Sequence, residues 1–204
     1  QFIIGNTMHK PPVEIVDALN KDTCTWLYNV ADTNPAAFTN DNQVIGMFKD
    51  KTIPYKNLHR SMPDPFGQTE RVLNIARFIA QKEIIDYYGE YSYPENTELV
   101  RWFPGDSMSV HSDNSWTKGN GLEDQKGVEH PTNYRTYSAI FYINDDYEGG
   151  EIYFPGFDIE IKPKQGSLVI FPSNDNYTHG VKEVTKLNRY TIAAWYAGHE
   201  YYAE

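Results

Sequence analysis

The stretch RWFPGDSMSVHSD, Arg101–Asp113, ends in a His-x-Asp pair at the close of an alternating run. On a strand, residues i and i+2 project to one face, so His111 and Asp113 point together while Ser112 turns away. A third donor is offered by His179 in the segment THGV. Ten residues beyond it, Arg189 opens a second alternating run, RYTIAAWY. Two histidines and one carboxylate on a strand-rich scaffold form a facial triad, which leaves up to three adjacent positions on an octahedral Fe(II) open.

Outward from that stretch the chain keeps the period of strands. Leu99–Phe103, Met108–Ser112, Thr136–Asn144, Glu151–Pro155, Ile159–Ile161, Ser167–Phe171, His179–Val184 and Arg189–Tyr196 read as eight short strands. Turns at Asp145–Gly150 and Lys164–Gly166 separate them. The spacing predicts a double-sheet jelly roll, with the site inside its mouth. The connection Asn114–Asn133 is polar, carries Gly119, Gly121 and Gly127, and by its length and position reads as a lid.

Upstream, Val13–Leu19 (VEIVDAL) reads as a strand feeding a helix over Asn20–Val30. Ala31–Gln68 is rich in Asn, Asp, Pro and Lys and reads as irregular, with a short strand near Val44–Phe48. Thr69 is placed to cap a helix through ERVLNIARFIAQKEIIDYY, in which Val72, Ile75, Ala76, Phe78 and Ile79 form the apolar set and Gly89 follows the last turn. The expected organisation is one mainly β (α+β) domain over 1–204. Residues 1–95 give helical and irregular support packed on one sheet, and 96–204 form the jelly-roll core.

A chain of 204 residues suffices for one sizeable core. Its 18 basic and 28 acidic residues give a net charge of −10, which disfavours nucleic acid as a partner. Cys24 is the single cysteine, so neither an internal disulfide nor a thiolate metal site is available, and a reducing cytoplasm is the expected location. No apolar run long enough for a membrane span appears.

Of the six histidines, His9, His59, His130 and His199 lie in polar or terminal segments and read as solvated; His111 and His179 alone lie at strand-like segments. Such a set suits catalytic zinc or non-haem Fe(II). Arg189 favours the second, because a guanidinium in the same cavity would grip the carboxylate of an anionic cosubstrate. Its strand is expected beside the one bearing His179. Thr191, on the same face as Arg189, adds a hydroxyl, and Tyr142 a phenol.

These residues, taken in order, resemble the 2-oxoglutarate and Fe(II)-dependent dioxygenases of the prolyl 4-hydroxylase-like branch. The resemblance covers nearly the whole chain, through VEIVDAL, RWFPGDSMSVHSD, RTYSAIFYIN, GGEIYFP, KPKQGSLVIFP, His179-Gly180 and RYTIAAWY. It implies His111, Asp113 and His179 as iron ligands, Arg189 as the residue binding the far carboxylate of 2-oxoglutarate, and Tyr142 as its assistant. It places Arg135 and Trp195 near the cosubstrate or the peptide, and implies O2 as co-reactant, with ascorbate as an accessory. Trp102 and Met108 stand where relatives often carry tyrosine, and Trp102 is placed at the cosubstrate.

The resemblance implies hydroxylation of a C–H bond, with a prolyl residue of a peptide or protein as the expected substrate. A dioxygenase acting on a free amino acid or a nucleobase, and a catalytically silent jelly roll whose triad holds a structural ion, are the competing readings.

Overall fold

The alternating second half of the chain forms two facing sheets. The computed structural model describes residues 2–4, 7–34, 52–54, 68–116 and 129–200. In chain order the elements of the first half are β1 (Phe2–Ile4), β2 (Thr7–His9), β3 (Val13–Ile15), α1 (Lys21–Thr33), β4 (Thr52–Pro54) and α2 (Gln68–Tyr88). There follow β5 (Tyr93–Trp102), β6 (Met108–His111), β7 (Arg135–Tyr142), β8 (Glu148–Gly149), β9 (Ile152–Phe154), β10 (Ile159–Ile161) and β11 (Leu168–Pro172). The chain closes with β12 (His179–Val181), β13 (Val184–Lys186) and β14 (Arg189–Ala197).

The larger sheet runs β3-β11-β7-β14-β5-β4 and the smaller β10-β9-β12-β6, with antiparallel pairing throughout. This is the expected jelly roll with helices on one sheet. All eight strand segments are present, and the His179–Val184 run divides into β12 and β13. β8, read from sequence as part of a turn, pairs with β13 in a two-stranded ribbon.

Period-two alternation gives the large sheet its two faces. On β14, Tyr190, Ile192, Ala194 and Tyr196 join Leu99 of β5, Phe141 of β7, Leu168 and Ile170 of β11, and the inner faces of both helices in one buried cluster. The opposite face meets the small sheet: Tyr142, Val169 and Phe171 pack with Ile152, Phe154, Phe157 and Tyr177. Val100 and Trp102 pack with Met108, Val181 and Val184. The helices thus brace the sheet from behind and leave its front free for chemistry.

The N-terminal elements depart from expectation in detail. VEIVDAL is extended only over Val13–Ile15, and α1 starts after Asn20, whose side chain accepts from the backbone N–H groups of Asp22 and Thr23. Thr69 is buried inside α2 rather than capping it. The inner face of α2 is Leu73, Ala76, Ala80 and Ile84, with Val72 and Ile79 on its flanks. Ile75 and Phe78 are exposed, so the apolar set read from sequence is rotated from the face that packs. The strand expected near Val44–Phe48 and most of the lid over Asn114–Asn133 lie outside the described residues. No helix among the described residues is long and apolar enough to cross a membrane.

Candidate active site

β6 and β12 pair with His111 directly opposite His179, and the two imidazole rings lie 4.4 Å apart. Asp113 stands two residues past His111, just beyond the end of β6. Its backbone is held by two bonds: its N–H donates to Ser173 O at 3.0 Å, and the Thr132 hydroxyl donates to its carbonyl at 2.6 Å. Ser112 turns away as the alternation predicts, and hydrogen-bonds to Ser115 and Asp175.

The three side chains converge. Asp113 Oδ1 is 3.3 Å from His111 Nε2 and 3.9 Å from His179 Nε2, and one donor atom from each residue lies within 4.8 Å of the others. Each histidine donates its Nδ1–H to a carbonyl two residues earlier, His111 to Ser109 at 2.9 Å and His179 to Tyr177 at 3.1 Å. That bond fixes the tautomer and leaves both Nε2 lone pairs facing Asp113, as a shared metal requires.

The electrostatics fit the same use. Burial against Phe171 and Phe154, together with the charge of His111, pushes His179 down to about 4, so its imidazole is neutral at neutral pH. Burial works against the His111 cation too, but the hydrogen bond and charge of Asp113 outweigh it and raise its pKa. Burial opposes the charge on Asp113, yet the two histidines and the Ser138 hydroxyl hold its carboxyl far below the usual range. The carboxylate is therefore ready to ligate.

The alternate residues Arg189, Thr191, Ala193 and Trp195 of β14 line the same cavity as the triad, with Val100 and Trp102 from β5 and Ser138 and Ile140 from β7. The cavity is small, with a volume of about 60 Å³. β14 reaches it from the opposite sheet: its neighbours are β5 and β7, not the strand of His179. The expected adjacency is therefore corrected, because Arg189 faces the triad across the sandwich.

Arg189 is 1% exposed, and none of its three guanidinium nitrogens meets a hydrogen-bond partner of good geometry. Its guanidinium carbon lies 5.0 Å from the ring centre of Trp102 and 5.1 Å from that of Tyr142. The Tyr142 and Tyr147 hydroxyls, both buried, lie next to the guanidinium and interact with it, though without a hydrogen bond of good geometry. Burial raises both phenols while the Arg189 charge opposes the rise, so each stays neutral and able to donate. A buried cation with no carboxylate paired to it among the described residues is costly unless an anion completes it, and a carboxylate matches the guanidinium fork. The residues present thus fit 2-oxoglutarate, as the triad fits Fe(II). Tyr142 flanks Arg189 and is not among the side chains that line the cavity.

The structure places Trp195 and Arg135 differently from a simple substrate wall. Trp195 Nε1–H donates to Asp113 Oδ2 at 3.1 Å, and Arg135 stacks on the Trp195 ring. His130, expected to be solvated, is half-buried against Trp116 and accepts from the Thr132 backbone N–H. Sequence reasoning missed Ser138 and Tyr147. For Ser138 there was a signal, a hydroxyl on the same strand face as Ile140 and Tyr142; for Tyr147, in the turn Asp145–Gly150, periodicity carried none.

Residues 97–197, which contain all of these side chains, match the model of the 2OG-Fe(II) oxygenase superfamily. Prolyl 3-hydroxylase 2 of Homo sapiens is 39% identical over 103 residues, 48% of this chain and 14% of that protein. Prolyl 3-hydroxylase 1 of Gallus gallus is 41% identical over 95 residues, 44% of this chain and 13% of that protein. The matched stretch thus spans about a seventh of the length of these curated relatives. Among solved structures, the viral collagen prolyl hydroxylase vCPH of Paramecium Bursaria Chlorella virus-1, in its 2OG complex, shares the fold with a TM-score of 0.65 at 17% identity, over 93% of this chain and 97% of that one. A prolyl-4-hydroxylase of Pseudomonas putida does so at 0.61 and 16%, over 92% of each. With its jelly roll and its two-histidine, one-carboxylate cluster, the stretch 97–197 belongs to the 2OG-Fe(II) oxygenase superfamily, and the chain shares its fold with these prolyl hydroxylases.

Proposed function

We propose that this chain hydroxylates a prolyl residue in a peptide or protein, with Fe(II), 2-oxoglutarate and O2, releasing succinate and CO2. The observation that carries the reading is the buried guanidinium of Arg189, paired with no carboxylate among the described residues, in the cavity that also holds the triad. His111, Asp113 and His179 would hold Fe(II), which with 2-oxoglutarate and O2 supplies the oxidising chemistry when bound. Arg189 would grip the far carboxylate, helped by the Tyr142 phenol and the Thr191 hydroxyl. Trp102 walls the guanidinium on one side, and the apolar side chains of Val100, Met108 and Val181 keep water from the reacting centre.

The prolyl substrate is supported by the relatives, which are prolyl hydroxylases by name. A reducing cytoplasm as the place of action belongs to the same reading, since it keeps iron ferrous. The test is mass spectrometry of proline-containing peptides incubated with the protein, Fe(II) and 2-oxoglutarate. One oxygen gained on proline, with succinate formed in step, is expected. Oxygen appearing only on free amino acids or nucleobases would overturn the prolyl assignment and leave the reaction class standing.

A further inference from the structure

The two carboxylate oxygens of Asp113 are differently occupied. Oδ1 faces His111 Nε2 at 3.3 Å and His179 Nε2 at 3.9 Å. Oδ2 turns the other way and accepts two hydrogen bonds, from Trp195 Nε1–H at 3.1 Å and from the Ser138 hydroxyl. Those two donors are a cross-strand pair, since Trp195 of β14 stands directly opposite Ser138 of β7. Both are held in place. Ser138 also shares a hydrogen bond with Ser173 at 2.8 Å. The Trp195 ring carries the guanidinium of Arg135, 4.4 Å from its centre, and Arg135 Nε–H donates at 2.8 Å to Glu95 of β5. The line Glu95–Arg135–Trp195–Asp113 therefore ties three adjacent strands of the large sheet to the carboxylate.

We propose that Trp195 is a positioning residue for the metal: with Ser138 it occupies Oδ2 of Asp113, so that the carboxylate offers Oδ1 alone. A free carboxylate can turn both oxygens to one ion and would then close one of the three positions that a facial triad leaves open. Holding Oδ2 with two donors from a rigid sheet prevents that and spares the ion's open face for cosubstrate and O2. The indole N–H is thereby committed to Asp113, and one face of the ring is covered by Arg135, which sets this role apart from the substrate contact that sequence alone suggested. The inference rests on the reading that the triad holds a divalent ion, but not on the identity of the substrate.

The test is Trp195→Phe, which keeps a ring for Arg135 and removes only the N–H, with Ser138→Ala as the second variant acting on the same oxygen from the other strand. Mn(II) affinity is measured by the electron paramagnetic resonance of free Mn(II), and the ligand field by the visible absorption of the Co(II)-loaded protein. Outer partners of metal ligands commonly contribute about 10- to 100-fold in affinity, so a loss of about ten-fold is expected for each variant. The Co(II) spectrum should change, while the circular dichroism of the metal-free protein stays that of the wild type. Wild-type Mn(II) affinity and Co(II) spectra in both variants overturn the proposal, as does a Trp195→Phe protein that loses only peptide affinity. A wild-type chain that binds no Mn(II) overturns it together with the ligand assignment. Tight Mn(II) binding that depends on Trp195, with no prolyl hydroxylation, supports this inference and sinks the substrate reading instead.

Discussion

At the scale of single residues, Arg189 shows a charge kept where it destabilises the empty protein. A guanidinium that is 1% exposed and lacks good hydrogen-bond partners costs free energy until an anion arrives. Replacing Arg189 with Met, of similar length and no charge, should therefore raise the thermal midpoint of the metal-free protein by about 2–4 °C per kcal/mol recovered. The same variant should weaken 2-oxoglutarate by about 10- to 150-fold, the contribution of a charge-assisted fork, and leave Mn(II) affinity unchanged. Calorimetric titration of each ligand checks this; equal loss of both would mean that the arginine is structural. The histidines add a pH dependence whose sign follows from their shifts. His111 is raised and must lose a proton before Nε2 can ligate, whereas His179, at about 4, has already lost its own. Mn(II) affinity should thus fall as pH drops below the raised pKa of His111, by about ten-fold per unit for one displaced proton, and steepen only near pH 4. Mn(II) titrations across that range read the slope, and a flat profile would contradict the assignment of His111.

At the scale of elements, β14 shows what alternation reveals and what it hides. Its two faces were legible in RYTIAAWY: Arg189, Thr191 and Trp195 do share one side, and the triad follows from the same two-residue rule. Its neighbours were not legible, because strand order is set by pairing between residues far apart in sequence, and periodicity carries no information about partners. The face of α2 failed for a different reason. Apolar residues occupy more than one side of that helix, and only contact with the sheet selects Leu73, Ala80 and Ile84 over Ile75 and Phe78. The turn Asp145–Gly150 hid Tyr147 and a steric requirement as well. Gly150 has φ +69°, and a Cβ there would lie 2.9 Å from Arg189 Cδ and 3.1 Å from Tyr147 Cε2. Gly150→Ala should destabilise the fold by about 1–3 kcal/mol through strain and overpacking. It should also weaken 2-oxoglutarate more than Mn(II), because the displaced atom belongs to Arg189. Denaturant melts beside the two titrations would show it, and an unaltered 2-oxoglutarate affinity would separate Gly150 from the site.

At the scale of the whole molecule, the question is whether the helices and the jelly roll melt together. α1, α2 and the back of the large sheet contribute to one buried cluster, to which Cys24 of α1 and residues of β5, β7, β11 and β14 all belong. This supports a single cooperative unit, with α1 and α2 acting as the back wall of the sheet. Cys24 is the natural reporter: it is the single cysteine, it is fully buried, and burial pushes its thiol from 9.0 up to about 11. A thiol raised in the folded state adds stability that is complete below its unfolded pKa and is lost as pH rises through the folded value. In the native protein, labelling by a thiol reagent at mildly alkaline pH should therefore be slow, since both access and thiolate are withheld. If the chain unfolds as one unit, the denaturant midpoint for Cys24 labelling should coincide with that for the fluorescence of Trp102 and Trp195 in the jelly roll, read in a variant with Trp26 and Trp116 replaced. Labelling that begins well before the tryptophan transition would show that α1 opens alone, and would divide the chain into a stable roll and a detachable support. Because that support lies behind the sheet and the His111–Asp113–His179 cluster in front of it, saturating Mn(II) should move both transitions together in the one-unit case and only the tryptophan transition in the other.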